Sequence, residues 1–214
     1  MATNDEKRAG ISISPSILNA CPRQVVLKGY EQYHEAPSDY YARWSGDGVH
    51  AMIERHGPYE GIIQEKRIKK MFFDPETGNN AFISGQMDWW DYEHRHLADW
   101  KKTNKAPTTP YDDHERQVNI YAWLLDGGVW EDGTVSEYGP ETAEIIYLEP
   151  KRCRIVPVML WSHEAVERMI ASRLIPFVEH LRTKELPVGL DKDGPDYWKA
   201  QYCPFRGTGK CCAD

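Results

Sequence analysis

The sequence predicts an α/β domain, and three observations carry that reading. Apolar residues recur at helical spacing early in the chain, alternate through its middle, and return to helical spacing in two later blocks. The alternating blocks are rich in β-branched and aromatic residues, and turn-forming clusters separate them. Helix, strands, helix, strands, helix is the order of a sheet covered by helices. At 214 residues the chain suits a single domain, here 12–214, with a real core.

Residues 1–11 are polar and read as a flexible tail. Ser14-Pro15 opens a helix, with Ser as N-cap and Pro in the first turn. Ile17, Leu18, Cys21, Val25 and Leu27 hold helical spacing as far as about Tyr30. A second helix, 46–56, carries Val49, Met52 and Ile53 on one face and is ended by Gly57-Pro58. Strands follow at 61–73, 81–92 and 97–102, the first two divided by the turn cluster 74–80. The helix 111–125 is acidic near its start and has Gly127-Gly128 past its end. Two more strands, 142–149 and 153–161, precede a helix over His163–Thr183, capped by Ser162 and interrupted or kinked at Pro176. The last segment, 185–214, holds Pro, Gly and three of the five cysteines.

The net charge of -7 argues against a protein that coats nucleic acid by bulk electrostatics. It is compatible with a metal site, because metal-binding carboxylates count as negative until a cation fills them. Basic clusters remain at Lys66, Arg67, Lys69, Lys70 and at Lys101, Lys102, Lys105. No apolar run reaches the length of a membrane span, and residues 1–10 have no apolar signal core. The expected location is the reducing cytoplasm. There the cysteines are free thiols or metal ligands rather than disulfides, and Cys153, in a strand, reads as a small core residue.

The chemistry-bearing stretch is Gly85-Gln86-Met87-Asp88 followed by Asp99-Trp100-Lys101. A hairpin turning at Glu93-His94 sets Asp88 opposite Asp99 with Cβ atoms about 5 Å apart. Alternation then gives Lys101 the same face and turns Trp100 away. Two carboxylates so close repel each other, and a divalent cation such as Mg²⁺ or Mn²⁺ removes the repulsion. Lys101 stands where it can hold an attacking water or offset charge on a phosphate. The bland alternative is an exposed ion pair on a surface hairpin. Upstream, His50 is a candidate third ligand and Glu65 a further carboxylate. Downstream, Gln117 and Tyr121 are i, i+4 neighbours that can bind a nucleic acid backbone or brace the lysine. Trp89, Trp90, Trp100 and Tyr92 offer rings for base stacking, although most are expected in the core.

Taken in order, Gly48-Val49-His50, Gly85-x-x-Asp88, Asp99-x-Lys101 and Gln117-x-x-x-Tyr121 resemble the RecB-like branch of the PD-(D/E)XK nuclease superfamily. That branch includes recombination nucleases and small CRISPR-associated exonucleases. Ser14-Pro15-Ser16 and Cys21-Pro22-Arg23 fit its N-terminus, and the likeness covers about residues 12 to 212. The resemblance implies a mixed sheet flanked by helices, with a helical part over 12–58 and a catalytic core over 59–184. It implies metal ligation by His50, Asp88, Asp99 and the Trp100 backbone carbonyl. Lys101 becomes the catalytic lysine, with Gln117 and Tyr121 as the helix signature. The implied reaction is hydrolysis of DNA, preferentially single-stranded and from free ends, by a metal-activated water. The chain has no P-loop, so unwinding is expected of a partner, a helicase or a CRISPR or recombination protein.

Relatives often carry a [4Fe–4S] cluster on one N-terminal and three C-terminal cysteines. Cys21, Cys203, Cys211 and Cys212 supply four thiols. However, Ala200 stands where a preceding Cys is expected, and Cys211 and Cys212 are adjacent. Zinc on the same thiols and a metal-free tail are the alternatives. Two other functions stay open: a silent nucleic-acid-binding adaptor of the same fold, and a metal-thiolate structural protein.

Overall fold

The structure is a computed structural model and describes residues 11–34, 37–56 and 61–211. Along the chain come β1 (Ile11–Ile13), α1 (Pro15–Asn19), α2 (Pro22–Tyr30), α3 (Pro37–His56), β2 (Ile62–Phe73), β3 (Asn80–Asp91) and β4 (His96–Lys102). Then follow α4 (Asp112–Leu125), β5 (Val129–Trp130), β6 (Thr142–Leu148), β7 (Cys153–Val158), α5 (His163–Thr183) and a 3-10 turn at Tyr197–Tyr202. The chain forms two compact units rather than dividing near 58 and 184. One comprises the described residues up to Pro15 with His50–Glu167, the other Ser16–Val49 with Arg168 onward. All three divisions fall inside helices, α1, α3 and α5, so no loop composition marks them in the sequence.

The first unit is built on a mixed seven-stranded sheet in the order β5-β2-β3-β4-β6-β7, with β1 beside β3. The pairs β4–β6 and β1–β3 are parallel and the others antiparallel. Helix α4 packs against β2, β3, β4 and β6. Its buried Val118, Ile120, Trp123 and Leu124 belong to a core with Ile68, Phe72 and Ile83, and the rings of Phe72 and Trp123 meet edge-on at 5–7 Å spacing, with centroids 6.3 Å apart. Lys70 fastens the end of α4: its ammonium donates to Trp123 O at 3.1 Å and to Asp126 O, and lies 4.3 Å from the Trp123 ring. A cation is favoured there because the last carbonyls of a helix have no partner within it.

Two local features of the sheet make the site. In β2–β3 one register holds from Ile62↔Asp91 to Phe73↔Asn80, and the single missing pair is Glu65 with Asp88. Glu65 sits there at φ 50, a left-handed backbone that a residue with a Cβ adopts at a cost. In β3–β4 the pairs are Trp89↔Ala98, Trp90↔Leu97 and Asp91↔His96, the register read from the sequence. The ladder stops there, so Asp88 and Asp99 are not a facing ladder pair. On its other side β4 pairs with β6 along its whole length, His96↔Thr142 to Lys102↔Leu148, so beyond Ala98 only that partner remains. The Asp88 carboxylate occupies the fork by accepting the Trp100 N–H at 2.7 Å.

The second unit joins the early and late parts of the chain. Arg23 donates to Lys210 O and Pro187 O, and Lys199 Nζ donates to Asn19 O at 2.7 Å. Its core includes Leu18, Leu27, Leu174, Ala200 and Phe205. The helix expected to run from Ser14-Pro15 to Tyr30 is broken at Cys21, because Pro22 forces the preceding residue into extended backbone (φ -66, ψ 118). Helix α3 begins at Pro37, nine residues before the expected start at 46. Its first half exposes Tyr40, Tyr41 and Trp44 and so has no apolar stripe to read. Helix α5 has the expected bounds and runs on through Pro176. Cys153 is exposed, not a core residue: on β7 it is Val156 and Val158 that turn inward.

Candidate metal centre

Asp88, within β3, is almost buried, with 6% of its surface exposed. Oδ2 is held by the Trp100 N–H, and Oδ1 lies 3.5 Å from His50 Nδ1. Burial, and next the neighbouring charge of Asp99, push its carboxyl up to about 7. Lys101, His50 and the Trp100 N–H act the other way without cancelling them.

Asp99 is 1% exposed, and among the described residues neither of its oxygens receives a hydrogen bond. Lys101 Nζ does lie 2.6 Å from Oδ2. The contact is a buried ion pair, and it gives Asp99 a positive partner. With one ammonium between two buried carboxylates, a further positive charge would offset the repulsion that remains. Burial draws the Lys101 ammonium down, but Asp99 and then Asp88 outweigh it, and the net shift is upward. Lys101 therefore stays charged at any physiological pH.

His50, near the end of α3, brings its ring to this pair. Nδ1 is 2.8 Å from Glu65 Oε1, and that hydrogen bond is the largest cause of a raised imidazole pKa. Glu65 is gripped from its other side by Gln86, whose Nε2 donates to Oε2 at 2.9 Å. Ligand atoms of His50, Glu65 and Asp88 all lie within 4.8 Å of one another.

The α4 residues arrive as expected. Gln117 Nε2 donates to the Tyr121 hydroxyl at 3.0 Å. The Tyr121 phenol is raised well above its ordinary range, by burial first and by the charge of Asp99 second. Its ring lies directly over Gly85: a Cβ at that position would come 2.4 Å from Tyr121 Cε1. Gly85 is what lets this ring approach β3. The sequence reading missed both this use of Gly85 and the grip of Gln86 on Glu65. Strand alternation was the available signal for Gln86, since it lies two residues before Asp88.

Of the predicted site residues, the structure gathers His50, Glu65, Asp88, Asp99, Lys101, Gln117 and Tyr121 in the first unit. Trp100 pairs with Ile146, and its indole Nε1 is buried without a partner among the described residues. Trp90 is core, whereas Tyr92 is exposed. Cys21, Cys203 and Cys211 are all buried in the second unit, and Cys212 lies outside the described residues. Cys203 and Cys211 form one small core with Leu27 and Phe205. Burial, with Cys211 and Cys21 beside it, pushes the Cys203 thiol up to about 12. No helix among the described residues is long and apolar enough to cross a membrane.

No family model and no curated protein matches the chain. Among solved structures, the crystal structure of SSO0001 is similar, with a TM-score of 0.61 at 18% identity. The likeness covers 91% of this chain and 83% of that one, and at such identity it is a likeness of fold.

Proposed function

We propose that the chain is a Mg²⁺- or Mn²⁺-dependent nuclease that hydrolyses phosphodiester bonds of single-stranded DNA from a free end. One observation carries the reading: His50, Glu65 and Asp88 bring ligand atoms within 4.8 Å of one another, beside the buried ion pair of Asp99 and Lys101. Carboxylate oxygens with one imidazole nitrogen suit such cations. His50, Asp88, Asp99 and the Trp100 carbonyl are the residues that would hold the ion, with Glu65 in reach. When bound there, it supplies a Lewis acid for the scissile phosphate and a water of lowered pKa.

The chain's own groups do the rest. Lys101 donates to the attacking water or to a phosphate oxygen and offsets the charge that builds as the P–O bond forms. Asp99 keeps that ammonium charged and in place. Gln117 and Tyr121, joined by their hydrogen bond, brace the same wall. The family resemblance supports an end-dependent action on single strands and a helicase, CRISPR or recombination partner. It also supports a [4Fe–4S] cluster on Cys21, Cys203, Cys211 and Cys212. The buried thiols of Cys21, Cys203 and Cys211 fit a soft metal in residue type.

The test is cleavage of end-labelled linear and closed-circular single-stranded DNA with Mn²⁺, Mg²⁺ or EDTA. Linear DNA is expected to be degraded only with metal, and circular DNA to survive. Lys101→Ala should lower the rate at least 100-fold. Equal degradation by the variant, or none by either protein, would remove the nuclease reading.

A further inference from the structure

We propose that the exposed face of β2 and β3 is a track on which single-stranded DNA lies as it approaches the candidate centre; the approach to the centre rests on the nuclease reading, the binding face does not. The register sets Arg67, Lys69, Met71 and Phe73 on one face of β2, alongside Gln86, Ser84, Phe82 and Asn80 of β3. Alternation turns Ile68 and Phe72 to the other face, where they are buried on the α4 side. On the open face Arg67 and Lys69 are exposed, and Met71 and Phe73 are 46% and 60% exposed. Successive same-face residues on a strand lie about 6.7 Å apart, so Arg67 to Phe73 spans about 20 Å, room for several nucleotides.

Charge selects the occupant. Lys101, Arg95 and Arg173 are held in ion pairs with Asp99, Glu141 and Asp196. Arg67 reaches only the Ser84 hydroxyl, at 3.5 Å, and Lys69 forms no ion pair with a described residue. Glu131, opposite Arg67 across the β2–β5 pairing, gives its N–H to Arg67 O and makes no ion pair with the guanidinium, while Glu65 at the end of the face is held by Gln86. Within a chain of net charge -7, two exposed cations with no ion pair to a described residue, side by side on one strand face, form a local phosphate site. Phe73, Met71 and the half-buried Phe82 add flat apolar surface for bases, the combination that sequence-tolerant single-strand binders use. Gln86, on this same face, is the residue that grips Glu65, so the track abuts the centre.

The experiment is fluorescence anisotropy of a labelled 15-nucleotide oligo-dT in EDTA across a salt series. Wild type is compared with Arg67→Ala/Lys69→Ala and with Phe73→Ala, all surface changes. Losing two phosphate contacts should flatten the dependence of log K on log salt by about 1.4 and weaken binding at low salt at least tenfold. Phe73→Ala should weaken binding about tenfold at every salt concentration with the slope unchanged. Hydrolysis of bis(4-nitrophenyl) phosphate with Mn²⁺, which needs no track, should be the same in all three proteins. Unchanged slope and affinity in the double variant would overturn the track, whether or not the wild type cleaves DNA. A self-associating protein with no DNA affinity would overturn it in favour of a second copy on this face. Wild type that binds with the full slope yet hydrolyses nothing keeps the track and sinks the nuclease reading instead.

Discussion

Asp88 and Asp99 are two acids in a nearly dry place, and the fold treats them differently. Asp88 receives a backbone N–H and faces an imidazole, while Asp99 has only the ammonium of Lys101. For Asp88 the consequence is a pH dependence with a definite sign. Its folded pKa, about 7, lies above the ordinary 3.8. The metal-free folded chain therefore keeps a proton that the unfolded chain gives up, and stability is lost as pH rises from about 4 through 7. Chemical denaturation in EDTA at pH 5 and pH 8 should show a larger loss in wild type than in Asp88→Asn. Equal losses would show that this carboxyl titrates as it does in the unfolded chain. Gly85 has a steric role at the same scale. Gly85→Ala drives a methyl into the Tyr121 ring at 2.4 Å, and overpacking of this kind costs about 1–3 kcal/mol. A lower melting temperature and slower cleavage are expected, and a variant that melts with wild type would mean the ring moves aside freely.

Among the elements, the sequence was legible wherever a local rule decided the outcome. The β3–β4 register followed from the length of the turn between two alternating strands, and α5 followed from its cap and periodicity. The Ser162 hydroxyl does accept the Ala165 N–H, at 3.3 Å. The fork was not legible, because β3 and β4 part after Trp89↔Ala98 while β4 stays paired with β6, more than forty residues further on. For the same reason the two aspartates are site neighbours but not a ladder pair. Strands as short as β1 and β5 carry too few residues for alternation to register, and the left-handed backbone of Glu65 leaves no trace in composition. Cys153 was misjudged because the usual burial of cysteine was weighed above the alternation of its own strand, where Val156 and Val158 already fix the inward face.

At the scale of the whole molecule, two sets of metal-binding residue types fall in two different units. The carboxylates belong to the sheet unit, and the thiols of Cys21, Cys203 and Cys211 to the helical one. If the thiols hold a [4Fe–4S] cluster, protein purified without oxygen is brown and carries about four irons per chain. Cys203→Ser should bleach it and lower the melting temperature, while colourless iron-free protein would leave zinc or a metal-free core. The sheet unit carries the central claim, that a divalent cation binds at the buried carboxylates of Asp88 and Asp99. Calorimetric titration of metal-free protein with Mn²⁺ at pH 7.5, beside Asp99→Asn, tests it most directly. The account predicts binding by the wild type and at least tenfold weaker binding by the variant, about 1.4 kcal/mol. Equal affinity in the two proteins, or no binding by either, would contradict it.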